Sequence, residues 1–524
     1  MRTKWSDGIL NIVKGCSYGV LVLIFMILLT AESIMYPMKQ AVLLSNKGLL
    51  LIGCAILLIV YLIQRKMCWK IRFSKQCGER LFKYKWILFV LLCLLQIYVC
   101  YHIYFFTGWD PGYEVLPSAQ ALAWGMPERA DSYYFSMYSN NIMLTLLFSY
   151  VLKAGRIFGL GNISDGSGLM LLNGVQCVLS SITGYLICNI VYDETHSYRG
   201  SLIAFVFYFV LLGSSPWLVI PYSDSMALIF PVAIFRVYQL LKNKKHILMK
   251  WCLIALLSFW GYTIKPQVMI ITIAIVIVEG LKLLKESVVQ WKSVGKFVIC
   301  MLLCLGVSQG VYAHLVRTSG LQIDTEYTMG MPHFFMMGLN PNDGGVFSGE
   351  DAVFSMGFKT KAERNAADME VAKERIEEYG VGGLLDHSLR KMLCVYNDGG
   401  FAWGCEGSFY LETPPEKDTV ISPFLRSLFW NEGTHYRMLL TIRQCAWITL
   451  LLLVVCIGAV KKNTEEIVLL LSMLGITLFE LLFEARARYL FIYVPMLIIL
   501  GVIGYQGICI RFGKITKISE VEKE

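Results

Sequence analysis

The stretch Thr107-Gly108-Trp109-Asp110-Pro111-Gly112-Tyr113-Glu114 places two carboxylates four residues apart, in a segment broken by Pro and two Gly, directly after an apolar run at 86–106. The run is long enough to cross a bilayer. A carboxylate at the mouth of a membrane helix is costly to desolvate, which points to transport or catalysis. The competing reading is an interfacial turn, with Trp109 and Tyr113 as belt aromatics and Asp and Gly making the bend. Other ionisable residues flank other apolar runs: Asp224 in Pro221-Tyr222-Ser223-Asp224, Lys265 before Pro266, and Glu484, Arg486 and Arg488 just ahead of the last run. Each alone reads as a solvated interfacial charge. Gathered at one level of a bilayer, they suit a reaction with an anionic, lipid-linked substrate. A carboxylate can take a proton from a hydroxyl, and Lys or Arg can hold a phosphate and stabilise it as it leaves.

Composition sets the class that must position these groups. Of 524 residues 56% are hydrophobic and 16% charged, and the mean hydropathy is +0.58, whereas a soluble domain carries roughly 25% charged residues. Apolar runs recur along nearly the whole chain, so the expected fold is an all-α polytopic membrane protein. The alternation of a β-barrel is absent. Most of the 16 Cys lie inside apolar runs, where they act as small hydrophobes. Cys68 and Cys77 fall in a basic loop and Cys394 and Cys405 in a polar one, without the spacing of a zinc site. There is no P-loop and no Rossmann glycine pattern, so any energy source would have to arrive through a lipid.

Charge sets the expected orientation. The run 9–30 follows Arg2 and Lys4 and reads as an uncleaved helix. The loop from Gln64 to Lys85 holds eight Lys or Arg against the single acid Glu79 and is expected on the cytoplasmic side. Its place between membrane helices argues against nucleic-acid binding. The run 86–106 then delivers Asp110 to the outer face. A second basic loop holds Lys242, Lys244, Lys245 and Lys250. Five runs separate the two loops, an odd number, so one must fail to cross. The run 142–160 is the best candidate, interrupted by Lys153 and Arg156 and crowded by Gly155, Gly159 and Gly161. It is expected to lie in the outer interface, extending the first outer loop over 107–167. Asp224 and Lys265 then fall outside. Lys282, Lys285, Lys292, Lys296, Lys461, Lys462 and the tail with Arg511, Lys514 and Lys517 fall inside. Twelve crossings result, and Arg486 and Arg488 lie outside against the orientation rule.

Four regions follow: 1–85 with two helices and the basic loop, 86–316 as the main membrane module, 317–437 as an outer domain, and 438–524 as the final helices and tail. Residues 317–437 carry eighteen acids against eleven Lys plus Arg, a balance of −7, which leaves +16 of the net +9 to the remainder. Within them Thr360-Lys361-Ala362-Glu363 is a capping-box pattern opening a charged helix expected to stop at Gly380. Turn-rich pieces surround it, at Gly338 to Gly345 and Asn397 to Gly404. Exposed Trp and Phe beside Gly and Asn suit sugar stacking, which makes Asn340, Asp343 and Trp403 candidates for acceptor binding. The same mixture also makes an ordinary interfacial loop.

Asp110 early in the first outer loop, the turn Pro221 to Asp224, Lys265 at a hairpin tip and Glu484-x-x-x-Arg488-Tyr489 before a Pro-containing last helix resemble the membrane glycosyltransferases of the GT-C class. Protein O-mannosyltransferases and lipid A aminoarabinose transferases belong to that class, and the 317–437 loop is similar to that of its uncharacterised Gram-positive members. The resemblance implies in-plane helices in the first outer loop, a polyprenyl-phosphate sugar as donor, an envelope glycan, lipid or protein as acceptor, and a site on the outer face among membrane lipids. It implies Asp110 as the base, Lys265 and Arg488 on the lipid phosphate, and Asp224 and Glu114 shaping the site; Arg486, two residues before Arg488, is a further candidate for substrate binding. No cofactor is assigned, and a divalent cation is left open. Many members carry an adjacent Asp-Glu pair. Here Pro111 follows Asp110 and the next acid is Glu114, so which acid is the base stays open. The alternatives are a flippase or transporter of lipid-linked glycans, and a glycan polymerase or ligase.

Overall fold

The computed structural model describes residues 2–30, 42–68, 78–80, 82–103, 105–241, 246–284, 291–404, 410–412, 418–459 and 464–513. Cys77, Cys405, Lys285 and the basic residues at 70–75, 242–245, 461–462 and 514–517 lie outside these, so much of the charge on which the expected orientation rests is not described.

The chain is an all-α polytopic membrane protein. Its first helices are α1 (Arg2–Thr30), α2 (Asn46–Cys68) and α3 (Lys85–Ile103). Short helices α4 (Leu116–Ala123), α5 (Ser132–Met137) and α6 (Ile142–Arg156) follow, then α7 (Ser167–Thr195), α8 (Tyr198–Tyr208), α9 (Ser223–Ala227) and α10 (Ile229–Leu240). Next come α11 (Ile247–Ile264), α12 (Met269–Leu283), α13 (Trp291–Ser319), α14 (Met331–Gly338), α15 (Gly349–Met356) and α16 (Lys361–Tyr396). The chain closes with α17 (Ser422–Phe429), α18 (Tyr436–Val455), α19 (Thr464–Leu482) and α20 (Val494–Gly513). One small antiparallel ladder pairs β1 (Phe105–Thr107) with β2 (Tyr410–Glu412), Phe105 opposite Glu412.

Among the described residues nine helices are long and apolar enough to cross a membrane: those containing α1, α2, α3, α7, α11, α12, α13, α18 and α20. Three expected crossings fall short of that measure. The segment Tyr198–Gly213 is apolar but shorter, α10 has 12 residues, and α19 carries Glu465, Glu466 and Glu480. The run 142–160 becomes α6, 15 residues long, against the roughly 20 that a perpendicular span needs.

The last long helix is the hub. In its span Ala487–Arg511 an 18-residue apolar stretch has 94% of its positions buried, and apolar residues all round its surface suit a helix enclosed by others. It packs on α7, α8, α18 and α19. A Cβ on Gly504 would lie 2.0 Å from the Leu453 carbonyl oxygen, so α18 and α20 approach backbone to backbone there. At the other end of the hub Tyr493 donates to the Gln267 carbonyl at 2.8 Å and accepts from Ile271 N at 3.1 Å. One phenol thus ties the hub to the α11–α12 joint.

The capping box on α16 forms: Thr360 Oγ1 accepts from Glu363 N, and Glu363 reaches back to Thr360 N, both at 3.3 Å. The expected stop at Gly380 is instead a kink. Gly380 takes φ 55° and the helix resumes to Tyr396, because its second half has the bundle to pack against: Leu393, Val395 and Tyr396 join the main core. Residues before the kink keep a small core of their own around Met336, Leu339 and Ala372.

A Gly504→Ala variant should lose about 1–3 kcal/mol to overpacking, since its clash is with backbone. Gly174→Ala, with open space around its Cβ, should be neutral or gain up to about 1 kcal/mol. Thermal unfolding of the two variants in detergent checks the contrast.

Candidate functional site

Four chain junctions meet: the segment after α3, the start of α9, the joint between α11 and α12, and the turn before α20. The first is shaped by its own residues. The β1 ladder leads to Trp109, whose carbonyl accepts from Gly112 N at 2.8 Å and Tyr113 N at 2.9 Å. Asp110 caps the wide turn Pro111–Val115 that starts α4, with Pro at the first helical position, where no N–H is needed. Its side chain makes no capping bond, so the carboxylate is directed elsewhere. Tyr222 Oη lies 3.4 Å from Asp110 Oδ2, and Tyr134 also hydrogen-bonds the carboxylate. Burial raises the Asp110 pKa above the usual carboxylate range, opposed by Tyr134, Arg488, Arg486 and Tyr222. Burial likewise raises Tyr134 and Tyr222, which keeps both phenols protonated and able to donate.

Beside it lies a desolvated charge cluster. Asp224, in the first turn of α9, accepts from Lys265 Nζ at 2.5 Å, and its other oxygen lies 3.7 Å from an Arg488 nitrogen. The side chains of Asp224, Lys265 and Arg488 are 3%, 5% and 6% exposed, so these are not solvated surface charges. Lys265 sits on extended backbone before Pro266, where the break between helices lets its side chain turn into the cluster. Aromatic rings take up the remaining faces of the cations. The Arg488 guanidinium is 4.1 Å from the Trp109 ring centre, and Lys265 Nζ is 4.7 Å from that of Tyr489. Trp109 packs edge-on to Tyr222 at 4.9 Å, which joins the Asp110 turn to the Asp224 turn. A buried ion pair adds little net stability compared with apolar packing.

The neighbouring charges are paired. Glu484 accepts from Arg486 Nε at 2.7 Å and from Tyr489 Oη at 3.2 Å. Arg486 and Arg488, which the expected orientation leaves outside, are therefore each set against a carboxylate. Glu114 faces Asp131, with which it shares a hydrogen bond, and burial followed by repulsion from Asp131 and Asp110 raises its pKa to about 7. The described residues hold no group of three or more His, Cys, Asp or Glu arranged for a metal ion.

A family model described as "Conserved hypothetical integral membrane protein" matches residues 10–508. The chain belongs to that family. No curated protein and no solved structure matches it. The family description carries membrane integration and no activity.

Within this family member, the structure brings together five of the expected residues, Asp110, Asp224, Lys265, Arg486 and Arg488, with Glu114 at the edge. Three others stand apart. Trp403 was expected to be exposed for stacking, but it is 1% exposed. Its Nε1 donates to the Phe429 carbonyl at 2.6 Å, and its ring packs edge-on to Trp217. It is a core residue, because the Asn397–Gly404 turn folds inward onto the bundle. Asn340 is 2% exposed and occupied within its own turn: it donates to Asp351 at 2.9 Å and accepts from Asn342 N and Asp343 N. Asp343 is partly exposed in the same turn, with its side chain in none of the cluster's bonds. The residues that sequence reasoning missed are Tyr134, Tyr222 and Tyr489. Their signal was present as tyrosines within a few positions of the acids and cations, but they read equally well as belt aromatics.

Asp224→Asn strands both Lys265 and Arg488 and should cost about 3–5 kcal/mol, whereas a double variant with Lys265→Met should recover only part of it, because Arg488 still lacks its carboxylate. Unfolding in detergent of both single variants and the double one measures this. Glu114, raised above its ordinary 4.5, favours the protonated folded state, so its cost to stability is small below about pH 4.5 and grows as pH rises toward 7. The unfolding midpoint of Glu114→Gln should therefore rise relative to wild type between pH 5 and 8; a constant difference across that range would contradict the shift.

Proposed function

We propose that the protein is a GT-C-type glycosyltransferase that moves one sugar from a polyprenyl-phosphate donor to a cell-envelope acceptor on the extracytoplasmic face. In this reading twelve segments cross the membrane, α4 to α6 lie in its outer plane, and residues 317–437 form the outer loop region. The observation that carries it is the convergence of the Asp110 carboxylate on a desolvated Asp224–Lys265–Arg488 cluster. Two cations against one carboxylate in that triad leave a net positive charge beside a carboxylate made more basic by burial. A lipid phosphate needs the first and an acceptor hydroxyl needs the second.

In the reaction so read, Asp110 takes the acceptor hydroxyl proton. The freed oxygen attacks the anomeric carbon with inversion, forming the new C–O bond. The bond from that carbon to the donor phosphate oxygen breaks, and its electron pair leaves with the polyprenyl phosphate, held by Lys265 and Arg488. Asp224 orients the two cations through its two oxygens. Arg486 and Glu484 frame the same turn, and Glu114 with Asp131 borders Asp110 as a proton-holding pair. No nucleotide takes part, and the donor lipid supplies the energy.

Asp110→Asn should lower transfer by about 10²–10⁴-fold, the range for a lost general base, with expression and donor binding retained. Purified protein in vesicles with polyprenyl-phosphate sugars measures both. Near-normal turnover of that variant would overturn the assignment. Donor translocation without transfer would favour a flippase.

A further inference from the structure

Lys391 lies in the second half of α16, beyond the Gly380 kink, and is fully buried. Its ammonium donates to three backbone carbonyls: Gly338 at 2.8 Å, Leu481 at 3.0 Å and Phe483 at 2.6 Å. Three bonds match the three donors of an ammonium. The Leu481 carbonyl lies in the last turn of α19 and that of Phe483 one residue past it, where helix carbonyls lack partners of their own and the dipole favours a positive charge. Lys391 therefore caps α19 from another helix.

The capped end leads directly into Glu484, Arg486 and Arg488. That short segment is held at further points. Ala485 N donates to the Gly345 carbonyl at 2.8 Å, and Arg486 N donates to Glu480 Oε2 at 3.1 Å. Gly338 lies so near Phe483 that a Cβ would sit 2.6 Å from its carbonyl carbon and oxygen. His387 Nε2 lies 2.9 Å from the same Gly338 carbonyl that Lys391 binds. On the far side of this joint, Arg375 pairs with Asp351 through two bonds at 2.9 and 2.7 Å and donates to the Met336 carbonyl. The region before the kink is thus a braced body. Lys391 stands where it meets the segment bearing the cations.

We propose that Lys391 is a positioning residue: by binding the Leu481 and Phe483 carbonyls it sets the Glu484–Arg488 segment so that Arg488 reaches Asp224 and Trp109. The inference rests on the reading of that cluster as the place where the donor phosphate binds. Lys391 touches neither Asp110 nor Asp224 in any described bond, so it acts through the segment. Its charge is the operative feature, since a neutral side chain of the same length would fill the space without binding the three carbonyls.

Four purified variants test this: Lys391→Met, Lys391→Arg, Lys391→Gln and Val395→Ala, the last a buried change on the same helix that removes none of these bonds. Two measurements are made: hydrogen exchange of the 481–488 amides, and transfer kinetics with a polyprenyl-phosphate sugar. Loss of its charged hydrogen bonds predicts roughly a tenfold or greater rise in donor KM for Lys391→Met. Acceptor KM should stay near wild type. Faster exchange should be confined to 481–488, and Lys391→Arg should restore most of the donor KM. Unchanged donor KM in Lys391→Met, or a loss no larger than that of Val395→Ala, would overturn the proposal. If Lys391→Met does not fold, Lys391→Gln should show an intermediate donor KM, and a wild-type value there overturns it equally. If wild type transfers no sugar, the glycosyltransferase reading falls while the exchange data still decide the clamp: faster exchange at 481–488 supports it, and no change refutes it.

Discussion

The rest of the structure depends on Asp224 lying between Lys265 and Arg488 in a nearly dry interior. A cation taken out of water in an apolar bundle needs a partner, because removing either member leaves an uncompensated buried charge. Three separate pieces of chain must therefore arrive together: the first turn of α9, the broken joint between α11 and α12, and the turn before α20. The Lys265–Asp224 contact joins residues 41 positions apart. The Tyr493 phenol, bonded to the Gln267 carbonyl and the Ile271 amide, locks the same joint to the hub helix a few residues beyond Arg488. The charge cluster and the packing of the hub are one constraint seen from two sides.

Around that cluster each supporting element has a local reason to be where it is. Pro111 begins a turn that needs no N–H at its first position, which leaves the Asp110 side chain uncommitted to the helix start. Lys265 precedes a proline on extended backbone, so no helix turn covers its ammonium. Trp109, Tyr222 and Tyr489 offer ring faces or edges to the two cations, replacing lost hydration with weaker but directional attraction. The site is held by helix ends and joints, and these are fixed by a hub that has almost no exposed surface. Groups fixed in this way are suited to act on a substrate without reorganising.

Much of this was legible in the sequence, and the parts that were not share a cause. Asp110, Asp224, Lys265 and Arg488 could be singled out because charges next to long apolar runs are rare enough to notice. The capping box at Thr360 was legible because its bonds span three residues. The passage of α16 through Gly380 was not, since the glycine permits either a stop or a kink, and what decides is whether the following residues find a core. Trp403 shows the same limit: an aromatic among Gly and Asn looks exposed until the turn is seen folded onto Trp217 and Phe429. Lys391 gave no signal at all, because its partners are backbone carbonyls distant in sequence.

Hydropathy and charge along the chain determined by themselves that this is a helical membrane protein with ionisable groups at the ends of several apolar runs. Those are properties of short windows, set by local transfer energy and local hydrogen bonding. Which of those groups meet, which aromatic rings face them, and which carbonyls a buried lysine holds were decided only in the tertiary structure. Each of those contacts joins helices whose packing is set by the shape of the whole bundle, down to the carbonyl that passes over Gly504.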